Sequence, residues 1–212
     1  KMEGAGFDAV VGTPPYFNLE TIQGTGFNDY LRDQYSEIYS GKSDILYFFC
    51  DHGYDLVNNS GALSFIVSRY FTEAFNAKDF REKLTNKADI QSILDSGNNQ
   101  VFPGVDTLTV VLSLTEPGGQ ENTEVLTLDD SLHSDATAME SALNELRIEG
   151  SSDSGGRYQL PQEMFGRERW LILPEEVRQV KQTVETAGIK LGEFCRTGQG
   201  MMTGLNEAFT VT

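Results

Sequence analysis

Apolar and polar positions alternate along this chain with two periods, and the elements follow from where one gives way to the other. "GFDAVVG" (6–12) is apolar and β-branched and predicts a short buried strand. "SDILYFFCDHGYDLV" (43–57) sets Ile45, Phe48, Phe49, Tyr54 and Leu56 at helical spacing, with Ser43 or Asp44 as N-cap, and "NNSG" breaks it. "ALSFIVSRYF" (62–71) predicts a second strand that runs into an aromatic-rich loop. "AKDFREKLTNKA" (77–88) is a charged amphipathic helix, and "DIQSILDSG" (89–97) a third strand. After a loop, "NNQVFPG", comes a fourth strand, "VDTLTVVLSLT" (105–115). This order predicts an α/β fold with a β-hairpin at its end.

The pattern weakens after "EPGGQEN" (116–122). The next stretch is acidic and Ser-rich with little core material, and "SSDSGG" (151–156) predicts an exposed loop. "PEEVRQVKQTVETAG" (174–188) is again helical, with Pro174 near its first turn, acids at its start and Gly188 after its end. The predicted organisation is a domain over 1–117, an acidic linker or helical region over 118–188, and the start of a β-rich unit over 189–212.

Composition narrows the function. Net charge is −16, which argues against a phosphate-binding surface on this chain alone, since nucleic-acid affinity rests largely on Lys and Arg. An acidic, soluble surface or a salt-adapted source accounts equally for the bias. No apolar run is long enough to span a bilayer (~18 residues or more), and the first residues carry no signal-peptide core. Cys50 and Cys195 lie far apart and suit neither a disulfide framework nor a metal site, so a reducing cytoplasm is the simplest setting. His52 and His133 stand in no metal-like pattern, and no metal is expected.

The candidate chemistry lies in "VVGTPPYFN" (10–18). Pro14 and Pro15 have no amide for a sheet ladder and fix φ near −65°. A strand that ends so in an open α/β sheet delivers its next side chains to the crevice beyond the strand's carboxyl end. The turn offers free carbonyls as acceptors, and Tyr16 and Phe17 offer flat faces. Acceptors beside a stacking face suit the exocyclic amine of a heterocycle such as adenine. A plain Pro-Pro turn with a core tyrosine fits the tetrapeptide as well.

Three further stretches separate these readings. "FDAVVGTPPYF" resembles motif IV of the amino-methylating DNA methyltransferases, usually Asn-Pro-Pro-Tyr. "SDILYFFCDHGYDLVNNSGALSFIVSRYF" is similar to the helix and strand that follow it there. "DSGNNQVFPGVDTLTVVLSL" resembles motif VIII of the gamma-class N6-adenine enzymes, and "LGEFCRTGQGMMTGLNEAF" resembles their junction with a target-recognition domain in type IIG restriction–modification enzymes. The resemblance covers about residues 6–115 and 189–212.

It implies the C-terminal half of a Rossmann-like S-adenosylmethionine-dependent sheet and methyl transfer to a flipped adenine in double-stranded DNA, in restriction–modification or phage defence. Thr13 then stands where the family has the Asn that accepts from the amine, and Pro14 supplies a carbonyl for its second hydrogen. Pro15 completes the turn, Tyr16 stacks on the base beside Phe17, and Phe102 packs on the base's other side. Asp44, Phe48 and the loop 68–71 fall where the family lines the cofactor and base pocket. Phe102 as a loop aromatic over the core, and Asp44 as a simple helix cap, are the competing assignments.

Two departures stand out. Thr13 carries a shorter, rotatable hydroxyl in place of the oriented amide. The Gly-rich loop that holds S-adenosylmethionine is absent, and "GTGF" (24–27) follows a polar segment, not a strand. The expectation is therefore a fragment, inactive by itself, that acts on DNA only within the full-length protein. Its first strand should expose an edge able to pair with a second copy into a homodimer. The alternative is a non-catalytic DNA-recognition or assembly subunit with a degenerate pocket.

Overall fold

The computed structural model describes residues 6–102, 104, 107–150, 152–196 and 198. They form two compact units, Lys1–Ile172 and Leu173–Thr212.

The first unit is built on one six-stranded sheet. Its strands are β1 (Phe7–Gly12), β2 (Val57–Ser68), β3 (Asp89–Asp95), β4 (Thr109–Thr115), β5 (Asn122–Leu128) and β6 (Gly155–Pro161), in the order β1-β2-β4-β3-β5-β6. The helices are α1 (Gly26–Gln34), α2 (Ile45–Asp55), α3 (Lys78–Lys87) and α4 (Ala136–Ile148). β1 and β2 are parallel and joined through α2, while β4 runs antiparallel between β2 and β3. The carboxyl ends of β1, β2 and β3 therefore meet at one end of the sheet, beside the start of β4. The α/β class and the antiparallel β3–β4 pair agree with the expectation from sequence.

Period-two alternation in β2 buries Leu63, Phe65 and Val67 on one face, under α2 and α3. The other face carries a smaller cluster, in which Met139, Ala142 and Leu146 of α4 cover Leu126 and Leu128 of β5. Gly61 is required by close approach, because a Cβ there would stand 2.7 Å from the carbonyl oxygens of Phe7 and Asp8 at the irregular start of the β1–β2 pairing.

One buried cation joins the loop after β2 to the segment after β6. Arg81 is only 2% exposed. Its Nη1 donates to the carbonyls of Phe71 (2.7 Å) and Ala74 (2.8 Å), and its Nε to those of Arg167 (3.2 Å) and Glu168 (2.9 Å). Trp170 closes the same seam: its amide donates to Thr72 O (2.9 Å) and its ring meets Phe71 edge-on at 5.3 Å.

The structure corrects several expectations. β1, expected as a buried strand, ends the described sheet order and every residue of it but Val10 is exposed, because one of its edges and much of its surface lie uncovered. The strand expected over 62–71 begins at Val57 and ends at Ser68, where the Ser68 hydroxyl accepts from the Tyr70 amide (3.3 Å) and starts a 3-10 turn. The strand expected from 105 begins at Thr109; residues 105 and 106 lie outside the described ones. The region expected as a linker from 118 contains β5, α4 and β6, and the compact unit runs to Ile172. That region buries apolar residues of its own, among them Val125, Leu128, Leu146 and Leu160, and polar contacts tie it to β3. Thr123 Oγ1 donates to Ile90 O (2.8 Å), and the Gln162 amide both donates to Ile90 O (2.6 Å) and accepts from Ile90 N (3.2 Å). Helix α1, capped by Thr25, was not legible in the sequence pattern.

In the second unit, α5 (Glu175–Ala187) matches the expected helix. The described part of the expected β-rich start forms instead a short helix, α6 (Leu191–Phe194); residues 199–212 lie outside the described ones.

Arg81→Met keeps much of the side-chain volume but strands four buried carbonyl contacts. It is expected to destabilise the first unit by about 3 kcal/mol, at the upper end for unsatisfied buried groups. Arg81→Lys, which cannot fork to both segments, should recover only part of this. Urea denaturation of the three proteins measures both.

Candidate functional site

The turn after β1 is where the ladder runs out. β1 pairs with β2 as far as Gly12 opposite Phe65. Pro14 and Pro15 have no amide to carry it further. The next acceptor on β2, Ile66 O, is taken by the Tyr16 hydroxyl at 2.6 Å. That bond fixes the ring at the carboxyl end of the sheet. Burial pushes the Tyr16 phenol up to about 12, helped by Cys50 and Asp44 nearby.

Within the turn, Thr13 and Pro15 are exposed, Pro14 is buried, and Tyr16 and Phe17 are half-buried. Tyr16 and Phe17 pack against the main core. Among the described residues neither the Thr13 hydroxyl nor the Pro14 carbonyl is engaged by a protein donor.

The next residues are tied to the start of α2. Ile45 N donates to Phe17 O (3.0 Å), Leu19 N to Ser43 O (2.9 Å), and Asn18 forms an isolated antiparallel bridge with Asp44. Asn18 Nδ2 also donates to Lys42 O (2.9 Å). Asp44 caps α2, its Oδ1 accepting from Leu46 N at 3.0 Å. Burial raises its carboxyl to about 6, while backbone contacts from Leu46 and Phe17 pull it the other way.

Phe48, one turn into α2, is only 3% exposed and sits edge-on to Tyr35 at 5.4 Å. With Phe27, Tyr30, Phe49 and His52 it lines an aromatic hollow of about 180 Å³ between α1 and α2. "GTGF" forms a turn, with Gly24 at φ +78°, that leads from a 3-10 turn into α1 and does not follow a strand. Among the described residues no Gly-rich loop opens a helix directly after a strand, so the phosphate-cradle geometry is not found here.

Phe102 reaches the same end of the sheet from the β3–β4 loop, and it is half-buried. The buried Asn99 side chain anchors that loop. Its Nδ2 donates to Ser96 O (2.9 Å) and Asp129 O (3.0 Å), and its Oδ1 accepts from Ser134 N (3.0 Å). Ser96 Oγ donates to Thr109 O (2.8 Å). Ile66, which holds Tyr16 through its carbonyl, and Val101, beside Phe102, both line one hollow of about 490 Å³ between the sheet and α4. No ring contact joins Tyr16 and Phe102 among the described residues.

Two features at this end escaped the sequence reading. Arg69, after β2, pairs with Asp95, at the end of β3, at 3.4 Å across the start of β4. Burial raises the Asp95 carboxyl, and Arg69 opposes that. Asn99 reads as one more loop polar residue. Neither carries a local signal, because each partner lies on another element.

Residues 1–102 match the sequence model of the Eco57I restriction-modification methylase family. The type II methyltransferase M.BstVI of Geobacillus stearothermophilus is 24% identical over 215 residues, covering 99% of this chain and 38% of its own. M.HindII of Haemophilus influenzae is 21% identical over 223 residues, covering 96% and 40%. The chain thus spans about two fifths of the length of these relatives. A modification subunit of a putative type I restriction enzyme from Vibrio vulnificus YJ016 has a similar fold, with a TM-score of 0.59 at 9% identity over 85% of this chain and 41% of that one.

Tyr16→Phe removes the bond to Ile66 O and keeps the ring. A stability loss of about 1 kcal/mol is expected by denaturant titration. In spectrophotometric titration of the native protein, one phenol titrating near pH 12 should vanish in the variant.

Proposed function

We propose that this chain is part of a restriction–modification methyltransferase and that the protein it forms part of methylates the N6 amine of adenine in duplex DNA. The observation that carries the reading is the pair of unengaged acceptors, Thr13 Oγ1 and Pro14 O, beside a tyrosine ring pinned at the carboxyl end of the sheet.

In this reading the adenine leaves the helix and stacks on Tyr16, flanked by Phe17, with Phe102 on its other face. Unstacking costs a few kcal/mol, which the ring contacts offset. The amine lone pair is conjugated with the ring and is a weak nucleophile. Acceptors at Thr13 and Pro14 draw the two amine hydrogens out of the ring plane and favour a tetrahedral nitrogen. They act as that geometry develops, so they favour the transition state over the ground state. Pro15 keeps the turn from relaxing. When bound, S-adenosylmethionine supplies an electrophilic methyl group. Asp44 and Phe48 belong to the wall on that side, where the aromatic hollow between α1 and α2 offers a flat ring a stacking surface. The remaining cofactor contacts are assigned to other parts of the full-length protein.

DNA contact is likewise assigned to the full-length protein, since net charge −16 gives this chain little affinity for phosphates. The second edge of β1 is unpaired among the described residues, with Phe7 61% and Val11 76% exposed, and it is a pairing edge for a further strand, including one from a second copy. No helix among the described residues is long and apolar enough to cross a membrane, and the proposed setting is the cytoplasm. Thr13 favours a second reading, a recognition subunit that keeps the pocket and has lost the chemistry.

Nucleoside mass spectrometry on DNA treated with the full-length protein and S-adenosylmethionine should detect N6-methyladenine. Thr13→Asn should preserve or raise the rate by restoring an oriented acceptor, and Tyr16→Ala should lower it by the loss of roughly 1–3 kcal/mol of stacking. Activity that appears only in Thr13→Asn supports the second reading. Methyl incorporation into cytosine, RNA or protein overturns the first. In calorimetry the isolated chain should bind S-adenosylmethionine weakly; a micromolar affinity overturns the division of the cofactor site.

A further inference from the structure

β3 and β5 run parallel, and their ladder ends at Asp95 opposite Thr127. Beyond that point no backbone–backbone hydrogen bond among the described residues joins the loop after β3 to the loop that leads from β5 into α4. The bond from Ser96 N to Thr109 O (3.2 Å) fixes only the start of the first loop. Side chains take over from there. Asp130 presents both carboxylate oxygens to Asn98: Oδ1 accepts from its backbone amide (2.9 Å) and Oδ2 from its side-chain amide. The Ser134 hydroxyl accepts from Gln100 N (2.7 Å), and the Ser134 amide donates to Asn99 Oδ1 (3.0 Å). Residues 98, 99 and 100 are therefore all held from one neighbouring loop, just before Phe102.

The holding loop bears a conformational cost for this. His133 and Ser134 both sit in the left-handed region, at φ 48° and 61°, which side chains disfavour. Glycine would turn the chain into α4 with less strain, but it has no hydroxyl for Gln100 N. The two loops also lie close: a Cβ at Gly97, itself at φ +60°, would stand 2.7 Å from Leu128 O and 2.9 Å from Asp130 Oδ1. The far side of the holding loop is fixed independently. Asp129 N donates to Ser154 O (2.9 Å), Leu132 is buried in the α4 cluster, and Asp135 caps α4 through Ala138 N (2.9 Å).

We propose that Asp130 and Ser134 are positioning residues, which clamp residues 98–100 and so set where Phe102 stands against the base. Phe102's place there is the function assigned above, and the role of the clamp rests on it. A base held between two rings tolerates little displacement, as a misplacement of about 1 Å costs on the order of 100-fold in rate.

The test uses Asp130→Ala, Asp130→Asn and Ser134→Gly in the full-length protein. Asp130→Asn keeps an acceptor for the Asn98 amide. Ser134→Gly relieves the left-handed strain and removes only the hydroxyl. Hydrogen exchange over residues 98–102 should quicken by about tenfold in Asp130→Ala and Ser134→Gly, with exchange in β3 and β5 unchanged. On unmethylated genomic DNA, kcat for methyl transfer should fall by about tenfold in both, with KM for S-adenosylmethionine moving less than about threefold. Asp130→Asn should recover most of that rate, and Ser134→Gly should lose it without a fall in Tm, which a role confined to stability does not produce. Exchange at 98–102 that matches wild type overturns the proposal, and so does quickened exchange with kcat intact. Full activity in Phe102→Ala removes the role given to that ring, and the clamp's with it. Should the wild-type protein not methylate adenine, the functional reading of the pocket fails, while the exchange measurement still decides whether Asp130 and Ser134 hold the loop.

Discussion

Two adjacent prolines have no amide to give a sheet, and the site follows from that lack. β1 must stop pairing at Gly12, which leaves a β2 carbonyl exposed at the carboxyl end of the sheet. A buried acceptor without a donor is costly. The first residue able to donate from the far side of the turn is Tyr16, through its hydroxyl. The ring is thereby held at the carboxyl end of the sheet, while among the described residues neither the Thr13 hydroxyl nor the Pro14 carbonyl takes a protein donor. In the proposed function, the backbone defect and the binding surface are one feature.

The second support comes from far along the chain. The loop after β2 is held from behind by Arg81 and Trp170, which spend a buried cation and an indole on backbone carbonyls and a phenylalanine edge. A guanidinium suits this task because its donors fork in one plane and reach two segments at once. On the β3–β4 side, Asn99 does the same with a neutral amide, satisfying three backbone groups from two loops. Both sides of the crevice are thus rigid for polar reasons, on a sheet whose apolar faces are packed separately by α2, α3 and α4. Under the proposed function this is the arrangement an acceptor pair needs, since it must not relax when the amine arrives.

Charge is distributed in keeping with this division. The surface is strongly acidic, yet a cation, Arg69, stands at the end where the strands converge, paired with Asp95. Asp44 stands at the same end with no ion-pair partner among the described residues. The two acids differ in what they hold: buried Asp95 joins two strand ends across β4, and half-buried Asp44 caps the start of α2.

Read alone, the amino-acid order determined the elements with strong local periodicity, α2, α3, β3 and α5, and the place of β1 and of the rigid turn at 13–16, though not that β1 is exposed. Those depend on neighbours along the chain, and patterns of two and 3.6 residues report them directly. Only the tertiary structure decided that β5 and β6 join the sheet, because their pairing with β3 and with each other, and the tie from Gln162 to Ile90, link segments far apart in the chain. Only it decided that Phe48 lies in the core between two helices, that Tyr16 is pinned by Ile66, and that Asp44 faces the turn as well as its own helix. Each of these is a contact between segments tens of residues apart, and no local periodicity records such a partner.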